Sequence, residues 1–193
     1  MPITKVTEAS SEPVSLSEAK AHLRVDHTDD DTLIGALITA ARQDAEARMG
    51  RTLLPTSWKL ELDAFPAGRC IRLHWPVVTA VTSVKYRDPA GVQETWDPAN
   101  YQLDATSEPA RLCLAPDADW PDTQDDRVNA VEILYTAGWA NAAAVPGVIK
   151  AWIKLRLGTL YEHRAEVSAG MPISQIPFVD HLLDPYRVWS LSP

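Results

Sequence analysis

Two consecutive helix signatures between Val14 and Arg42 constrain this chain more than any other feature. Ser15 and Glu18 stand three residues apart at the head of an alanine- and leucine-containing run. That is the spacing of a capping box, in which the serine oxygen accepts the N3 amide and the glutamate reaches back to the serine amide. Thr28 and Asp31 repeat it, and Asp29, Asp30 and Asp31 gather where a helix dipole favours negative charge. Leu33, Ile34, Leu37, Ile38, Ala41, Ala45 and Met49 then recur on one face of a 3.6-residue period, with Arg42, Gln43, Asp44 and Glu46 on the other side. Leu37 and Ile38, in the middle of the stripe, are expected in the central helical packing. Gly50 is placed to end the helix in a left-handed conformation.

From Pro55 the texture changes to short strand-like segments broken by Pro, Gly and Asp: Ser57–Leu62, Cys70–Trp75, Val81–Arg87, Tyr101–Leu103, Arg111–Leu114 and Val128–Tyr135. Asp88-Pro-Ala-Gly91 reads as a turn that pairs Val81–Arg87 with Val92–Trp96 in a hairpin. Regular short strands of this kind suggest a small antiparallel sandwich or barrel-like sheet. Helical texture returns with Pro146 in the first turn of a helix running to about Arg164, with Ile149, Trp152, Ile153, Leu157, Leu160 and Tyr161 as its apolar stripe. A Ser/Gly/Pro linker and a short amphipathic helix from about Pro177 to Leu183 complete the order. The reading is an α+β fold, with a helical core of about four helices and a β-rich antiparallel insertion between the second and third. Its segments are a flexible N-terminal arm (1–12), the helical pair (13–54), the insertion (55–140), the third core helix (141–164), and a linker with a tail helix (165–193).

Composition narrows the function. The net charge of −8 disfavours a protein that grips nucleic acid by neutralising phosphates, though not one that surrounds DNA and lets it slide. No apolar run approaches the roughly 20 residues of a membrane span. The opening Met-Pro-Ile-Thr-Lys carries no apolar signal core, so the chain is expected to be made and kept in a cytoplasm. Cys70 and Cys113 make neither a metal spacing nor a disulfide framework and are expected as reduced thiols.

His22, His27, His74, His163 and His181 lack zinc-ligand spacing. The acids Asp117, Asp119, Asp122, Asp125 and Asp126 lack the glycine and closing glutamate of a calcium loop. Consecutive acids at 29–31 point about 100° apart and cannot converge on one ion. No nucleophile elbow or phosphate-cradling loop occurs. Of the seven tryptophans, Trp120 and Trp189 sit in segments too polar or too terminal for an ordinary core.

Pro13-Val-Ser-Leu-Ser-Glu-Ala-Lys-Ala-His-Leu-Arg-Val25, then acids, then Leu33-Ile-Gly-Ala-Leu-Ile-Thr-Ala-Ala-Arg42, resembles the head–tail connector (adaptor) proteins of tailed phages and of phage-derived particles such as gene transfer agents. The segments Pro76–Asp88, Tyr135–Trp139, Pro146–Arg164 and Leu182-Leu-Asp-Pro-Tyr-Arg187 follow in the family's order, while 89–130 carries no diagnostic pattern. The resemblance implies a structural protein with no catalytic residues, metal or cofactor. It implies a homo-oligomeric ring, twelve subunits by family analogy, beneath a portal protein and above a stopper or tail-terminator protein. Double-stranded DNA would pass through without sequence specificity, and no membrane would be involved. The place implied is the head–tail junction of a virion or phage-like particle, after assembly in host cytoplasm.

On this reading Phe178, Leu182, Leu183, Tyr186, Arg187 and Trp189 form an assembly surface toward the portal or a neighbouring subunit, with docking onto their own subunit as the alternative. Lys150, Lys154 and Arg164 are candidates to face the channel and its DNA, a solvated helix face being the plainer reading. The rival functions are a small hydrolase or metal-dependent enzyme with a dispersed site, and a monomeric DNA-binding adaptor.

Overall fold

Ser15 does cap its helix: its Oγ accepts the Glu18 amide at 3.2 Å, and Glu18 Oε2 accepts the Ser15 amide at 2.8 Å. A computed structural model describes residues 2–163 and 177–188, the side chains of Pro177 and Phe178 excepted. The described residues divide into two compact units, one of residues 2–9 and 55–138, the other of residues 10–54, 139–163 and 177–188.

The helical unit contains α1 (Leu16–Leu23), α2 (Asp31–Met49), α3 (Gly147–Glu162) and α4 (Pro177–His181). Ile34, Ile38, Ala41, Ala45 and Met49 of α2 are buried, as are Ile149, Trp152, Ile153 and Leu157 of α3. Ile38 belongs to the core as expected, whereas Leu37 is half-buried and Leu33 is exposed. Gly50 ends α2 at φ +64, and its amide bonds the Glu46 carbonyl. Pro146 stands just before α3 as its cap residue rather than within the first turn.

Two local expectations fail for the same reason, that tertiary partners outbid local ones. The Thr28–Asp31 box does not form: α2 begins after Asp30 with no side-chain cap. The Asp31 carboxylate instead takes Lys20 Nζ at 2.6 Å, and Asp30 accepts the Tyr161 hydroxyl. Arg42 and Glu46, assigned to the wet side of α2, are buried at 2% and 5% exposure.

The β-rich unit is antiparallel throughout. β1 (Ile3–Lys5), β2 (Thr56–Leu62), β8 (Val131–Ala137), β4 (Val78–Arg87) and β5 (Gln93–Thr95) form a five-stranded sheet in that order. β3 (Cys70–Leu73), β7 (Ala110–Leu114) and β6 (Tyr101–Asp104) form a second. Strict alternation in β2 and β8 puts Trp58, Leu60, Leu62, Val131, Ile133 and Tyr135 on one buried face. They share a core cluster with Ile71, Leu73, Leu112 and Leu114 of the smaller sheet, the sandwich-like arrangement the strand pattern suggested. The 88–91 turn forms, with Gly91 at φ +81 and the Val92 amide bonded to Asp88 Oδ1.

Three sequence expectations are corrected here. Ile3–Lys5, expected within a mobile arm, pair with Trp58–Leu60 as an edge strand. Cys70 and Cys113, expected as free thiols, are disulfide-bonded. Their positions are directly opposite in β3 and β7 and point away from the face carrying Ile71 and Leu112. Alternation with apolar neighbours fixes only that cysteine and hydrophobe face opposite ways. Trp120, judged too polar in context for a core, stacks on Phe65 at 4.9 Å and donates to the Gly68 carbonyl at 2.8 Å.

Candidate interaction surfaces

The helical unit is tied together by charge as well as by apolar packing. Arg42 Nε donates to Glu12 Oε2 at 2.8 Å and Nη1 to Glu46 Oε2 at 3.0 Å. Thr39 Oγ1 donates to the other Glu12 oxygen, and Glu46 Oε1 accepts the Leu53 amide at 2.9 Å. One buried guanidinium therefore fixes the segment before α1 and the turn after α2. Sequence did carry a signal for this: Arg42 and Glu46 are spaced i,i+4 and flanked by Ala41, Ala45 and Met49.

The tail from Pro177 to Val188 docks within this same unit. Leu183 is 1% exposed. Arg51 Nε donates to the Tyr186 carbonyl at 2.9 Å, and the Val188 amide to the Met49 carbonyl at 2.8 Å. Arg48 bridges Asp44 and Asp180 at 2.8 and 3.0 Å, with its guanidinium over the Trp152 ring. The Asp44 hydrogen bond raises the Arg48 pKa further above its ordinary value. Leu183 is accordingly a core residue of its own unit rather than an outward anchor. Leu182 and Tyr186 are half-buried, and Arg187 is exposed beside Asp184. The His181 imidazole, then Arg187, hold the Asp184 carboxyl below the usual range. Trp189, Arg164 and the side chain of Phe178 lie outside the described residues.

Lys150 and Lys154 do not form an open cationic strip. Both are half-buried on α3, and Glu18 feels them as neighbouring positive charges. The carboxyl of Glu18 lies below its ordinary range chiefly through the Ser15 amide and hydroxyl, with the two lysines contributing less. Arg156 pairs with Asp44 at 2.9 Å.

No group of three or more His, Cys, Asp or Glu residues able to hold a metal occurs among the described residues. Asp125 and Asp126 of the acidic loop line an open groove together with Asp63, Thr123, Gln124 and Arg127. Asp104, held well below the carboxylate range by Ser107, Arg111 and Thr106, organises a turn. Among the described residues no helix is long and apolar enough to cross a membrane.

Residues 13–71 match the family model of phage gp6-like head–tail connector proteins. No curated protein matches the chain. Among solved structures, a chain in the neck of an empty GTA particle, computed with C6 symmetry, is 26% identical with a TM-score of 0.79. The similarity covers 97% of this chain and 96% of that one. A chain of the virion of a native gene transfer agent particle is 25% identical over the same shares, also at 0.79. The neck of the native particle, computed with C12 symmetry, gives 25% identity and 0.75, again over 97% and 96%. The likeness to head–tail connectors read from the sequence is borne out, and so is the α+β order of helical pair, β-rich insertion and helices.

Proposed function

We propose that this chain is a structural head–tail connector subunit that closes into a ring beneath a portal and joins a capsid to its tail. The carrying observation is end-to-end likeness, including the β-rich insertion, to chains in necks of gene transfer agent particles. The ring has twelve copies, a number supported by the C12 symmetry used for one similar neck. Double-stranded DNA passes through without sequence readout. The acidic balance of the chain suits a wall that does not trap the polyanion. Lys150 and Lys154, with Arg164, supply the cations nearest the passing duplex. The surface left on the docked tail, Leu182, Tyr186 and Arg187 with Phe178 and Trp189, meets the portal or an adjacent subunit, and a stopper or tail-terminator protein binds the opposite side. Assembly takes place in the host cytoplasm, and the mature location is the head–tail junction.

The likeness to a head–tail connector family model and to chains in particle necks supports a non-enzymatic role, against the hydrolase reading. Negative-stain imaging of the purified chain, alone and mixed with its portal, tests the proposal. Rings seated on the portal are expected. A chain that remains monomeric in both samples overturns it.

A further inference from the structure

The outward side of α2 is unlike that of an ordinary surface helix, which carries most of its charge toward water. Four charged residues follow its first turn, and all are engaged within the subunit: Arg42 and Glu46 are buried, while Asp44 and Arg48 are ion-paired. What remains outward is Leu33, Ala36, Ala40, Gln43 and Ala47, with half-buried Leu37 beside them. The strip spans about 21 Å at the α-helical rise and holds no charge, in a chain whose residues are 23% charged. α3 shows the same inversion. Lys150 and Lys154 lie near Glu18 and Arg156 pairs with Asp44, yet Val148 and Leu155, one heptad apart, are 41% and 40% exposed.

We infer that these two strips meet between copies, the α2 strip of one subunit seating on the α3 strip of the next, and so form the seam of the ring. The inference rests on the ring reading above. A closed ring of identical subunits needs two different complementary surfaces on each copy, whereas a twofold dimer needs only one self-complementary patch. The helical unit carries two such surfaces on separate helices, the α3 strip being free of charge from Val148 to Leu155 and reaching exposed Glu162 one heptad further on. Interface cores are depleted of charged residues. Small residues at Ala36, Ala40 and Ala47 let another helix approach closely, and Val148 and Leu155 are side chains of a size to fill the space between them. An uncharged strip offers nothing to DNA phosphates. Similar neck structures were computed with C6 and C12 symmetry, which sets an identical copy beside each subunit.

The test uses the full chain with its portal in four forms: wild type, Ala40→Glu, Leu155→Lys, and the two together. Circular dichroism and a melting curve establish that each folds. A second pair, Ala36→Glu with Val148→Lys, serves if either variant of the first does not. Each single substitution places an unpaired charge in the seam and is expected to lower the ring fraction about tenfold or more. The double substitution faces a carboxylate with an ammonium and is expected to restore most of it. Folded single variants that form rings as readily as wild type overturn the seam and leave the ring intact. A double variant no better than the singles also overturns it, because the strips then face other occupants, such as another particle protein or this chain's own 164–176. Wild-type protein that forms no ring overturns both readings.

Discussion

Arg42 is a buried cation held from two sides, by Glu12 and by Glu46. Removing one partner of such a pair leaves a charge in the interior with no compensation. Arg42→Ala is therefore expected to lower unfolding free energy by about 3–5 kcal/mol, read from the urea midpoint at constant slope. A loss no larger than that of an exposed alanine substitution would remove the network from the stabilising contacts. Glu18 gives a pH-dependent counterpart. Its carboxyl is held below the ordinary 4.5 in the folded chain, so its contribution is complete above that value and fades as pH falls through the lower folded-state value. Glu18→Ala is expected to cost about 0.3–1.5 kcal/mol at neutral pH, with the gap from wild type closing in acid. A pH-independent gap counts against the capping box as its source.

Among the elements, β3 and β7 are joined twice, by their ladder and by the Cys70–Cys113 bond. The bond closes a segment with a sequence separation of 43, for which loop-closure arguments give up to about 4 kcal/mol. The apolar faces of these strands remain packed without it. Reduction, or replacement of both cysteines by serine, is expected to lower the melting temperature while preserving the far-ultraviolet dichroism of the strands. An unchanged melting temperature would show that the ladder and core alone set the stability of this sheet. The tail presents the converse case, a short helix anchored by one core residue. Leu183→Ala is expected to cost about 2–5 kcal/mol, and a chain ended after Gly170 should unfold at lower denaturant for the same reason. If that truncated chain melts like the whole, Leu183 contributes nothing as an anchor.

For the whole molecule, charge separates a channel wall from a DNA-gripping adaptor. With a net −8, the purified chain is expected to leave a DNA duplex unshifted at physiological salt. Tight, steeply salt-dependent binding by the monomer would favour the adaptor reading. The sequence alone determined the elements whose causes are local: the Ser15–Glu18 cap, the glycine end of α2, the Asp88–Gly91 hairpin, and the alternation of β2 and β8. Each rests on residues within a few positions of one another, so periodicity and spacing carry the information. The connector resemblance was also legible, because its motifs lie in those same local runs. Only the tertiary structure decided which distant groups met. It gave Asp31 to Lys20 in place of a cap and drew Arg42 inward between Glu12 and Glu46. It also set Cys70 opposite Cys113, laid Trp120 on Phe65, and turned Leu183 into its own unit. Apart from the i,i+4 pair of Arg42 and Glu46, which the sequence did signal, these contacts join residues from 11 to 135 positions apart, and the largest gaps close only when separate elements pack. A local pattern states that a side chain is apolar or charged; the fold decides what it faces, and so whether it is core, ion pair or seam.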